Sequence, residues 1–236
     1  MRTAHSNARV FLVGLLMAMP IIACPAEREP VCVGCPTILI DAQNFSAEER
    51  QLLRAGVADA IGFFRAHGVE LKQTIQLTKR YADHGDPLPH IGAYSLQRNR
   101  IRLLGLEQSL NRDRNYRLFG LPIDEALYQT VVVHEIAHAI ADQNFAIPNP
   151  SLVAQEYLAY VAQLSTMPSP LRERVLGGFD LAPYDSIDEM SPVYYQLAPT
   201  CFGVKAYRHF LGLPDQTAFI HGLLSGRFRP PGSEME

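Results

Sequence analysis

The segment His134-Glu135-Ile136-Ala137-His138 sits inside the apolar run Val131 to Ala141, and this pairing constrains the chain more than any other feature. Apolar residues flank it on both sides, so the run reads as helix. Residues four apart on a helix lie one above the other on the same face. His134 and His138 can therefore offer two imidazole nitrogens to one metal ion. Glu135 projects about 100° round the axis, beside a water bound to that ion. A catalytic zinc site uses three protein ligands and leaves one position open. The run supplies two ligands and a base, so a third ligand must come from elsewhere.

Glu156 is the candidate. Asn144 to Pro150 carries Pro148 and Pro150, which stop the motif helix and reverse the chain. Ser151 then caps a second helix, Leu152 to about Gln163. His138 and Glu156 stand roughly 9 and 8 Å from the turn along their axes, so an antiparallel pair brings them to matching depth. The helical neighbours of Glu156 are Leu152, Val153, Ala159 and Tyr160. A carboxylate on such a face is costly to bury unless it meets a cation. The plainer alternatives turn Glu156 to solvent and make His134 and His138 core histidines, with Glu135 a surface acid.

This arrangement resembles the gluzincin group of zinc metallopeptidases, thermolysin-like proteins whose signature is H-E-x-x-H followed by a ligand Glu on a later helix. The resemblance covers about Asp124 to Gln163. It is also similar to small bacterial secreted proteins with a shortened gluzincin core. It implies a zincin-like fold, one Zn2+ held by His134, His138 and Glu156, and Glu135 as general base on a zinc-activated water. The implied activity is hydrolysis of peptide bonds in peptides or unfolded proteins. The chain departs from the thermolysin pattern at Tyr160, where an acidic residue is expected, and at Gln155, which replaces Asn. A metzincin would need a third His where Asn144 stands, which excludes that group.

Transition-state oxygens need donors besides the metal. Tyr160 shares a helix face with Glu156, and Tyr207, His209 and His221 on the C-terminal helices are further candidates. Ordinary packing is the alternative for each. Asp142, four residues after His138, either orients a ligand imidazole or is a solvated acid near the helix end. Two other function classes stay open: an envelope protein that holds zinc but is catalytically weak, and a structural exported domain with an accidental motif.

The N-terminus points to export. Arg2 and Arg9 precede the apolar stretch Val10 to Ala23, which is short for a membrane span, so residues 1–26 read as a signal peptide. Cleavage near Ala26 would release a periplasmic or secreted protein. Ile21-Ile22-Ala23-Cys24 also fits a lipobox, in which a lipidated Cys24 would anchor the protein to a membrane. Pro25 directly after Cys24 favours the soluble form. In an oxidising compartment, Cys32, Cys35 and Cys201 allow three disulfide pairings. Pro36 after Cys32-Val33-Gly34-Cys35 argues against a redox motif, which usually opens a helix.

The remaining 27–228 reads as one α+β domain, with 229–236 a disordered tail. With 236 residues, 47% hydrophobic and a net charge of −3, the chain can bury a real core, and its charge gives no case for nucleic acid. Thr37 to Asp41, Thr74 to Lys79, His90 to Ser95 and Arg100 to Leu104 read as strands. Ser46 reads as the cap of a helix between the first two, which Gly68 ends as its C′ residue. By analogy with zincins, Arg100 to Leu104 would border the groove and take a bound peptide as an extra strand. Pro168 to Arg174, Tyr194 to Leu211 and Asp215 to Leu224 read as the later helices.

Overall fold

The computed structural model describes residues 28–30, 37–81, 91–95, 98–111 and 117–232. The expected signal peptide with Cys24, the Cys32 and Cys35 pair, and residues 233–236 lie outside the described residues. Cys201 carries a free thiol. No helix among the described residues is long and apolar enough to cross a membrane.

The chain is α+β. Five strands, β1 (Arg28–Pro30), β2 (Ile38–Asp41), β3 (Ile75–Arg80), β4 (Gly92–Ser95) and β5 (Arg100–Leu104), form one mixed sheet in the order β1-β2-β3-β5-β4. β2, β3 and β5 run parallel, while β1 and β4 are antiparallel to their neighbours. Side chains alternate across a strand. Ile38, Ile40, Ile75, Leu77, Ile101 and Leu103 all turn to one face and are fully buried. The register sets Ile40 beside Leu77 and Leu77 beside Ile101, so the apolar rows are continuous.

β4 is where the sequence expectation needs correcting. Arg100–Leu104 forms as expected, but β3 and β4 occupy both its edges and leave no room for another strand. The strand that lies beside the motif helix is β4.

Helix α1 (Ala47–Ala66) opens with a full capping box, in which the Ser46 hydroxyl accepts from the Glu49 amide and the Glu49 carboxylate accepts from the Ser46 amide. β1 and the short helix α2 (Leu106–Leu110) are not among the elements expected from the sequence. α3 (Glu125–Asp142) carries the H-E-x-x-H run, and Asp124 caps it by accepting from the Leu127 amide at 2.8 Å. α1 and α3 cross where Gly56 removes the side chain that would separate them. A Cβ there would lie 2.8 Å from Cβ of Val132.

At the far end of α3, Asn144 donates its amide to the carbonyls of Ile140 and Glu70, both at 2.8 Å. The chain then turns through its two prolines into α4 (Leu152–Thr166), capped by Ser151. α4 packs between α3 and the later helices and is buried on nearly every side. Polar residues inside such a helix need partners.

Beyond it come α5 (Ser169–Gly177), α6 (Pro192–Leu197), α7 (Pro199–Gly212) and α8 (Gln216–Leu224). The expected single helix from Tyr194 to Leu211 is two. Pro199 has no N–H to continue the ladder, and Ala198 leaves helical geometry at φ −144°, ψ 63°. Part of the expected tail is held: Arg229 donates to the Gly226 carbonyl at 3.0 Å, and Pro230 is buried.

Candidate metal centre

α3 and α4 make the most extensive helix contact in the molecule, and it brings His134, His138 and Glu156 together. The His134 and His138 Nε2 atoms are 3.1 Å apart. Each imidazole Nε2 lies 3.5 Å from a different oxygen of Glu156, His134 from Oε2 and His138 from Oε1. Oε2 is buried and has no partner at hydrogen-bonding geometry. The group could hold a metal ion.

Ligand bonds of about 2.1 Å in a tetrahedron put neighbouring donor atoms about 3.4 Å apart. The two Nε2 atoms are 3.1 Å apart and each is 3.5 Å from a different Glu156 oxygen, and one donor atom from each residue lies within 4.8 Å of the others. Two imidazoles and one carboxylate are also the ligand chemistry of a catalytic zinc site.

Electrostatics among these residues reflect close packing. Burial raises the Glu156 pKa, but His138, His134 and a hydrogen bond from Tyr195 outweigh it and hold the carboxyl at about 2. Burial pulls His138 down to about 4, Glu156 opposing and His134 adding to the fall. His134 is also pushed down by burial, but the adjoining Glu156 carboxylate reverses the sign and leaves it raised.

Glu135 occupies the next face of α3, 7% exposed. Burial is the main cause of its rise to about 7, with the charge of Glu156 adding to it. His134, the Tyr94 backbone amide and Arg80 act in the opposite direction. The Tyr94 amide comes from β4, so the border strand helps hold this carboxylate.

His134 and Glu135 line a cavity of about 440 Å³, together with Gly92, Tyr160, Gln163 and Tyr195. That is room for a segment of extended peptide or a small ligand. Arg117 and Leu118 approach from the loop that turns at Phe119 and Gly120.

Tyr160 is in the site. Its ring meets that of His134 edge-on, with centroids 4.7 Å apart. The other candidates are placed elsewhere. Asp142 accepts from the Tyr94 hydroxyl at 3.1 Å, tying β4 to the end of α3. His209 bonds through Nδ1 to the Tyr157 hydroxyl at 2.8 Å and stacks edge-on against Phe219. Tyr207 is buried within reach of the Arg172 charge. His221 donates to the His67 carbonyl at 2.8 Å on the outer surface. None of these four lines the cavity.

Two contributors escaped the sequence reading. Gln163 bonds to Nδ1 of His134, and the Tyr195 phenol reaches Glu156 from α6. Gln163 had a signal, being an amide two turns beyond Glu156 on the apolar face of the same helix. Tyr195 had none, because tertiary folding alone brings α6 there.

No curated protein and no solved structure matches the chain. Residues 40–231 match the model of a family of unknown function, DUF6639, and the chain belongs to that family.

Proposed function

We propose that this protein is an exported zinc-dependent peptidase of gluzincin type. The observation that carries the reading is the convergence of His134, His138 and Glu156, with donor atoms within 4.8 Å of one another, and with Glu135 beside them on a cavity. A small mixed sheet whose antiparallel border strand runs beside the motif helix supports a zincin-like fold. The N-terminal sequence, with its basic start and apolar run, supports export.

Zinc bound here would act as a Lewis acid, polarising a carbonyl and making water more acidic. Glu135 takes a proton from the attacking water and returns it to the leaving amine. Its burial suits that exchange, because a base near neutrality both gains and releases protons readily. A cation at the donor set lowers its pKa again, which keeps it ionised in the resting state. His134, His138 and Glu156 are the ligands, and their place in a packed helix pair holds the donors in position. Tyr160 lines the same cavity and is a hydroxyl-bearing candidate to meet a developing oxyanion, whereas the Tyr195 hydroxyl is already directed at Glu156.

Metal analysis of purified protein and assay of Glu135→Gln against a peptide library test the proposal together. One zinc per chain, hydrolysis by wild type and inactivity of the variant are expected. Wild type and variant equally inert, both holding zinc, would overturn the peptidase reading and leave a zinc-binding envelope protein. Absence of stoichiometric metal would overturn both.

A further inference from the structure

Gln163 is the buried amide of α4, and its hydrogen bonds run in one direction. Thr130 donates its hydroxyl to the Leu127 carbonyl at 2.8 Å. A carbonyl can only accept, so the hydroxyl proton is committed there. Thr130 Oγ1 therefore meets Gln163 as an acceptor, and the Gln163 Nε2 group donates to it at 3.2 Å. That fixes which way the amide faces. Its Oε1, which can only accept, is turned to Nδ1 of His134 at 3.1 Å. Nδ1 must carry the proton.

We infer that Gln163, oriented by Thr130, is a positioning residue that locks His134 in its Nδ1–H tautomer and leaves Nε2 free to bind the metal. A backbone carbonyl starts the relay and the ligand atom ends it. Gln163 and Thr130 are each 2% exposed, so water does not compete for these bonds. The inference rests on the metal-site reading above and adds to it. At Tyr160, where the gluzincin pattern would place an acid, an aromatic ring packs on His134 instead. Orientation of this imidazole thus passes to an uncharged amide further along the same helix. A neutral amide fixes the tautomer while adding no negative charge to the buried centre, where Glu135 and Glu156 already supply two carboxyl groups.

The test reads tautomer and affinity separately from hydrolysis. In metal-free protein held above the imidazole titration range, 15N correlation spectra should show His134 protonated at Nδ1. Gln163→Leu should give mixed tautomers and weaken zinc binding, measured by chelator competition, by about 10- to 100-fold. Gln163→Glu keeps an acceptor and should restore both. Thr130→Val frees the amide to turn, and should shift His134 toward protonation at Nε2. Protonation of wild-type His134 at Nε2 would overturn the inference. So would wild-type zinc affinity in a folded Gln163→Leu protein. A wild type that binds no zinc sinks the peptidase reading, while the tautomer in metal-free protein still decides this one.

Discussion

Gly92 and Glu135 are so close that a methyl group on Gly92 would lie 2.5 Å from Cγ and 2.6 Å from Oε1 of the glutamate. Real Cβ atoms do not approach other atoms to that distance. The border strand can lie against α3 only because this residue has no side chain. Gly92→Ala must therefore displace the strand or the carboxylate, while the three donors on α3 and α4 stay where they are. Displacing a base by about 1 Å can cost about 100-fold in rate. We expect a loss of that order in kcat/KM for peptide hydrolysis with zinc content unchanged. Undiminished turnover would show that the position of Glu135 does not matter.

Removing a donor should abolish metal binding without unfolding the chain. Wild type should gain thermal stability as zinc is added, by about 2.7 kcal/mol at a hundredfold excess over the dissociation constant. His138→Ala and Glu156→Gln should show neither the gain nor retained zinc in elemental analysis. A variant that still binds one equivalent would remove its residue from the ligand set.

Glu49 supplies a pH prediction far from the metal centre. It bonds to the amides of Ser46 and Leu106, both at 2.7 Å, and to Lys79 at 3.0 Å, joining the starts of α1 and α2 to β3. Burial raises its pKa, but these partners outweigh that and leave it below the ordinary 4.5. A carboxyl with a depressed folded pKa contributes its full stabilisation above its unfolded value, and loses it as pH falls through the folded one. Denaturant titrations should show stability declining below about pH 4.5. Glu49→Gln should flatten part of that decline and cost about 3 kcal/mol at neutral pH, because it leaves Lys79 without its buried partner.

Tyr157 and His209 test the separation of structure from chemistry. Tyr157→Phe leaves the Nδ1 atom of buried His209 without its 2.8 Å partner, at a cost of about 1–3 kcal/mol. A lower Tm with unchanged zinc content and unchanged kcat is expected. A fall in kcat matching that of Glu135→Gln would put His209 into the reaction.

What could be read from the chain follows the range of each signal. The facing of His134 and His138 is local helix geometry, and Glu156 follows from a turn whose prolines are visible, so all three were legible. Border strand β4 was not, because strand order depends on pairing between segments far apart in sequence. β4 and β5 are adjacent in sequence and sheet, yet nothing local says which of them lies outside. Pro199 explains the break between α6 and α7, since it lacks the N–H that one continuous helix would need there. For Asp142, one turn past His138, local geometry allows either an imidazole partner or a solvated acid. The Tyr94 hydroxyl claims it from another element.

The donors His134, His138 and Glu156 all belong to one uninterrupted stretch, a helical hairpin closed by the turn before Ser151. Such a unit closes only a short loop when it forms, so the entropic barrier to assembling the donors is small. Contacts between near neighbours in sequence also form fast. The pairing of β2 with β3 closes a longer loop, Ile38 to Ile75, whereas that of β3 with β5, Gln76 to Arg100, is about as local as the hairpin. The three donors therefore come from one local unit of the chain, and none of them is supplied by the sheet.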